Sequence, residues 1–296
     1  SNSTANMAMV EFYLQNGDTS RYLNALINTF ENPNQDLKSK LKTVKNLAAQ
    51  VIDNKMPKYE KSIIELSAKL IEAHPSSADA NLVQGDLLFF KKQYKKALKH
   101  YNVSIKYMNN NLNLWQNMLE CLHMTDQQSI FQKRSVEFLE LYPSQASSFY
   151  YHGIALFQQK EYKKALDYFK SSKTIFEEIG LNELAIQATL CQAEANIKLN
   201  KFSEANILLD KVIILSKKEK LDQIYGSALN KSGFIALQEG KLDKALSQTT
   251  KGLEIAESIK NLELSRESNE ILSKVYEASG DYSLSTKSLR AFIVLN

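Results

Sequence analysis

The chain has 296 residues, 44% hydrophobic and 24% charged, which is enough apolar content to bury a core and too much for a disordered polar chain. No apolar run approaches the ~18 residues of a membrane-spanning helix, and a formal charge of +4 with lysines interspersed among acidic residues argues against nucleic acid as a partner. Only nine Gly and four Pro interrupt stretches rich in Leu, Ala, Lys and Glu, so the chain reads as all-α.

Residues 1–9 open with Ser1-Asn2-Ser3 in place of an initiator Met and read as a vector remnant or a disordered N-terminus. Residues 10–35 read as a partial first repeat, with Gly17 at its turn. Within residues 36–179 the phrase KKQYKKALKHY, Lys91 to Tyr101, returns as KEYKKALDYF, Lys160 to Phe169. Gly85, Tyr94, Ala97 and Tyr101 match Gly153, Tyr162, Ala165 and Phe169 at a step of 68, twice 34. This segment therefore divides into 34-residue units starting near Val44, Ala78, Leu112 and Ala146, with Pro75 and Pro143 closing second helices. The unit from Leu112 has Leu119 and Phe131 where its neighbours have small residues, which predicts wider helix spacing. Residues 180–296 read as three longer units, because Phe202/Ala205, Leu242/Ala245 and Tyr282/Ser285 follow at a step of 40. Their extra residues are placed in extended helices around Ile179–Leu184, Lys218–Gln223 and Ile259–Leu264. Asn200, Gly240 and Gly280 sit where a turn needs positive φ.

The whole pattern, a large residue at position 4 (Trp115), Gly at 8, an aromatic at 17, Ala at 20, an aromatic at 24 and Pro at 32, resembles the tetratricopeptide repeat family. That resemblance implies a right-handed α-solenoid of antiparallel helix pairs. Gly or Ala at 8 and Ala at 20 let two helices approach closely, aromatics fill the gap to the next unit, and the lysines of KKxYKKAL form the solvated outer side. The segment Tyr22 to Asp36, with its LxxxF-NP, resembles the entry region of repeat proteins from Bacteroidetes-like bacteria, many of them exported. Localisation on that basis leans to the periplasm or export, with the cytoplasm as the alternative.

No catalytic constellation is legible. His74, His100, His123 and His152 fall on different helices, no HExxH, GxSxG or phosphate loop occurs, and Cys121 and His123, two apart on a helix, face different ways. Cys121 and Cys191 read as buried thiols. No metal, no cofactor and no catalytic residue is expected.

In the tetratricopeptide family the concave surface is lined by first-helix positions 2, 5, 9 and 12 to 13. Carried onto this chain, the resemblance implies a peptide-binding groove of Leu82, Asp86, Phe89, Gln116, Glu120, Tyr150, Phe157, Glu194, Asn230, Phe234 and Glu270. Aromatics supply contact area and amides satisfy a peptide backbone. Glu194, Glu267, Glu270 and Glu277 give the long units an acidic lining that favours a neutral or basic segment. The Lys and Asn at positions 5 and 9 that clamp a chaperone's carboxylate are replaced here by Ala48/Ile52, Leu82/Asp86, Gln116/Glu120 and Tyr150/Ile154. The function expected is a non-enzymatic interaction scaffold for a protein or peptide partner. A sensory or regulatory domain of a larger bacterial signalling protein is the alternative. The apolar stretch LRAFIVL, Leu289 to Leu295, predicts an exposed edge covered by further sequence or by a second copy, a homo-dimer through the C-terminal helix.

Overall fold

The computed structural model describes residues 3–30 and 36–294, with side chains from residue 8 onward. Among the described residues the regular structure is sixteen α-helices and a short 3-10 helix, Pro57–Tyr59, with no strand. The chain forms two compact units, Ser1–Arg134 and Ser135–Asn296.

The first unit holds α1 (Ser3–Gln15), α2 (Thr19–Phe30), α3 (Leu37–Ile52), α4 (Glu60–Ala73), α5 (Ala78–Phe90), α6 (Tyr94–Ser104) and α7 (Leu112–Met124). Helix α8 (Gln128–Leu141) carries the boundary between units. α1 begins inside the stretch read as a remnant or disordered: neither Gly nor Pro interrupts Ser3–Gln15, and Val10 packs onto the first core, around Leu23, Leu26, Phe30, Val44 and Leu66. α3 likewise begins upstream of Val44, because the Asp36 carboxylate accepts hydrogen bonds from the Lys38 and Ser39 amides and caps the helix at Leu37. In the Tyr22–Asp36 segment, residues 31–35, including Asn32 and Pro33, lie outside the described residues. α4 ends at Ala73, ahead of Pro75, and α8 at Leu141, ahead of Pro143.

The second unit continues with α9 (Ala146–Gln158), α10 (Tyr162–Glu178), α11 (Asn182–Lys198), α12 (Phe202–Lys218), α13 (Asp222–Gln238), α14 (Leu242–Ser258), α15 (Leu262–Ala278) and α16 (Tyr282–Val294). Successive helices pack as antiparallel pairs, and the first helices α11, α13 and α15 also touch side by side. Ala97, Ala165, Ala205 and Ala245 are fully buried at the pair crossings. A Cβ at Gly85 would stand 2.5 Å from Tyr101 Cε1, and one at Gly153 2.7 Å from Phe169 Cε1. The ring at position 24 thus covers the glycine of its own unit as well as meeting the next first helix, Phe169 packing with Cys191 of α11. Thr249 takes the ring's place over Gly233.

The turn residues Gly17, Asn200, Gly240 and Gly280 all have positive φ. So do Asp126, whose short polar side chain tolerates it, and Lys92, Lys160, Lys220 and Lys260, where nothing in the side chain favours it. At the C-terminal end of α16, Leu289, Ile293 and Val294 are exposed, whereas Phe292 is half-buried against the groove of its own unit. Leu295 lies outside the described residues.

Candidate functional site

The four first helices of the second unit, α9, α11, α13 and α15, present the residues that meet in a cavity of about 320 Å³. Its wall contains Phe157 from α9, Glu194, Ile197 and Lys198 from α11, Lys231 and Phe234 from α13, and Glu267, Glu270, Ile271 and Lys274 from α15. An adjoining cavity of about 590 Å³ shares Glu194, Lys231, Glu267 and Glu270 and adds Gln187, Gln223, Ser227, Arg266 and Phe292. The helix frame explains the convergence. Residues three or four apart lie on one helix face, so each long first helix directs two to four side chains to the same side.

Lys231 sits at the junction. Its ammonium is 2.5 Å from Glu194 and 3.3 Å from Glu267, so one side chain ties the helices on either side of α13. Burial alone would lower the Lys231 pKa, but the two carboxylates outweigh it and hold the group above the ordinary lysine range. Behind it, Asn230 donates to Glu267 Oε2 at 3.3 Å and accepts from Ser268 Oγ at 3.0 Å. Asn230 is 0% exposed. It is a core residue of the α13–α15 contact, which corrects its assignment to the groove lining: its amide is consumed by neighbouring helices and faces Gly252.

Of the other expected residues, Phe157, Glu194, Phe234 and Glu270 come together in the cavity wall. Tyr150 does not; its ring packs against Tyr151, Phe169 and Phe176, and its hydroxyl receives the Cys191 thiol at 3.9 Å. In the first unit, Asp86 accepts from Tyr101 Oη at 2.8 Å and Asn117 Nδ2 at 3.1 Å, while burial raises its pKa against the pull of those two donors. Phe89 stacks edge-on to Tyr94 at 5.7 Å, and Leu82, Gln116 and Glu120 are half-buried. One cavity in that unit, about 370 Å³, is lined instead by residues such as Tyr13, Tyr22, Asn46 and Gln50, and another, about 480 Å³, by Lys92, Gln93, Tyr94, Lys95, Lys96 and Thr125.

The expected acidic lining is also corrected. Glu194 and Glu267 share the one cation Lys231, and Glu270 pairs with Lys274 at 2.6 Å. Counting both cavities, four carboxylates (Glu194, Glu263, Glu267, Glu270) face four cations (Lys198, Lys231, Arg266, Lys274), and Glu277 lines neither. Sequence reading missed Lys231. A signal existed: at the 40-residue step its column holds Cys191 and Ile271, so a lone charge stands in an otherwise apolar inward row.

Burial pushes both the Cys121 and the Cys191 thiol up to about 12, with Glu120 beside the first and Glu194 beside the second adding to the effect. His100 Nδ1 is bound to Asn81 Oδ1 at 2.9 Å, and His152 packs edge-on to Tyr168 at 4.7 Å. Among the described residues no group of three or more His, Cys, Asp or Glu could hold a metal ion, and no helix is long and apolar enough to cross a membrane.

No protein-family model matches the chain, and no curated protein matches it. Solved structures do. The apo form of RapI matches with a TM-score of 0.67 at 15% identity, over 86% of this chain and 97% of RapI. PilW, a type IV pilus biogenesis factor, matches at 0.57 and 14%, over 71% and 90%. YrrB, described as a TPR protein with an unusual peptide-binding site, matches at 0.50 and 18%, over 63% and 89%. At such identities the likeness is one of fold, and it agrees with the helix pairs and the glycine–aromatic packing above. The chain has the fold of the tetratricopeptide-repeat structures it matches, paired antiparallel α-helices with no strand among the described residues.

Proposed function

We propose that the chain is a non-enzymatic protein-interaction scaffold that holds a segment of a partner protein against the first-helix face of its second unit. One observation carries this: Phe157, Glu194, Phe234 and Glu270, from four successive first helices, meet in the wall of one cavity, with Ile197 and Ile271 beside them. Half-exposed aromatic and aliphatic side chains framed by charged ones match the apolar centre and polar rim of a peptide site. A similar fold in YrrB, whose own description includes a peptide-binding site, lends support. The raised thiol pKa values and the engaged His100 and His152 support a binding role over a catalytic one.

A random-peptide display selection against the full chain tests the reading. Peptides enriched on the wild type should be lost on Phe234→Glu and weakened on Phe157→Ala, and retained on Lys163→Glu, an exposed position of α10. No enrichment, or enrichment indifferent to Phe234→Glu, contradicts it.

A further inference from the structure

Resting on the groove reading above, we propose that the site is self-neutralised and takes a segment that is uncharged where it crosses Lys231, seating one large aliphatic or aromatic side chain between Phe157, Ile197, Phe234 and Ile271. The carboxylates that could attract a cationic partner are already engaged, Glu194 and Glu267 by sharing Lys231 and Glu270 by Lys274, and Lys198 and Arg266 in the same cavity walls bring four carboxylates level with four cations. A lysine or arginine from the partner would have to displace Lys231, whose side chain is only 14% exposed, from two ion pairs at once. An aspartate or glutamate would find Lys231 occupied and both flanking carboxylates facing it. Like-charge contact costs affinity, and a partly desolvated pair is expensive to separate. Phe157, Ile197 and Phe234, in contrast, are half-buried and offer surface whose burial favours binding without reference to charge, over a floor formed by the buried Ile271.

Lys231 is then a specificity-determining residue, and its removal has a directional consequence. Lys231→Met keeps most of the buried stem and leaves Glu194 and Glu267 without their cation. Glu194→Gln with Glu267→Gln keeps size and leaves Lys231 without its anions. The same display selection, run on the full-length wild type and on both variants, reads the net charge of the enriched peptides, with far-UV circular dichroism verifying that each variant is folded. Wild type should enrich near-neutral peptides bearing a large apolar residue, Lys231→Met peptides bearing Lys or Arg, and the double glutamine variant peptides bearing Asp or Glu. Adding one Lys to a wild-type-selected peptide should weaken it roughly tenfold on the wild type and restore or improve binding on Lys231→Met. Strongly charged winners on wild type, or a charge preference that neither variant moves, would overturn the inference while Phe234-dependent binding still upheld the groove. Loss of Phe234 dependence would overturn the groove reading, and this inference with it.

Discussion

Replacing Gly153 by Ala sets two effects of known sign against each other. In a helix interior the change gains about 1 kcal/mol of propensity, and Gly153 is well inside α9. The new Cβ, however, would stand 2.7 Å from Phe169 Cε1 and 2.8 Å from Cδ1, where carbon atoms prefer roughly 3.5–4.0 Å. The ring has no room to retreat: Phe169 is 1% exposed and Tyr150 packs on it at 6.2 Å between centroids. Overpacking of this kind costs about 1–3 kcal/mol, so Gly153→Ala should be neutral to destabilising by about 2 kcal/mol despite its better propensity. In a Phe169→Leu background the clash disappears, and the same substitution should turn stabilising. Urea unfolding of the four proteins, followed by far-UV circular dichroism, gives the coupling, expected at about 1–3 kcal/mol. If Gly153→Ala stabilises the wild type as much as it stabilises Phe169→Leu, the glycine–aromatic contact does not hold α9 against α10, and the packing argument fails.

Three further outcomes follow from other contacts. Lys160 holds φ at +64° and Gly240 at +72°; Lys160→Gly should stabilise by roughly 0.5–1 kcal/mol by relieving left-handed strain and Gly240→Ala should destabilise by about 1–2, measured as midpoint shifts in urea. Asn230→Ala removes the donor to Glu267 and one of the two acceptors of the Ser268 hydroxyl, which keeps Leu264 O, and opens a void against Gly252, so it should cost about 1–3 kcal/mol, with a smaller loss in a Ser268→Ala background. With folded thiols pushed up to about 12, both above the unfolded value, Cys121 and Cys191 contribute stability that is full below about pH 8.5 and declines as pH rises through that value. A thiol-reactive dye at pH 8 should therefore label the unfolded chain and leave the native one nearly untouched, and rapid native labelling would contradict their burial.

Local chemistry explains how much of this was legible. The close crossings at Gly85, Gly153 and the buried alanines lie within one helical pair, so fixed spacing announces them, but not that Tyr101 and Phe169 cover those glycines. Turn glycines announce themselves for the same reason. The lysines at positive φ do not, because only the geometry of two packed helices forces Lys92 and Lys160 into a conformation their side chains do not prefer. The groove was half legible: the family resemblance implies the face on which Phe157, Glu194, Phe234 and Glu270 stand, but not how far a side chain reaches. Asn230 turned out to be spent on Glu267 and Ser268, and Lys231 to bridge carboxylates on two other helices, since such partners are set by the stacking of whole pairs.

Hydrogen exchange of the full chain, with and without a saturating peptide selected on it, tests the central claim most directly. Binding in the groove predicts that added protection concentrates in the first helices α11, α13 and α15 around Glu194, Lys231, Phe234 and Glu270, and vanishes in Phe234→Glu. Protection confined to the second helices α10, α12 and α14, or to the first unit, would contradict it.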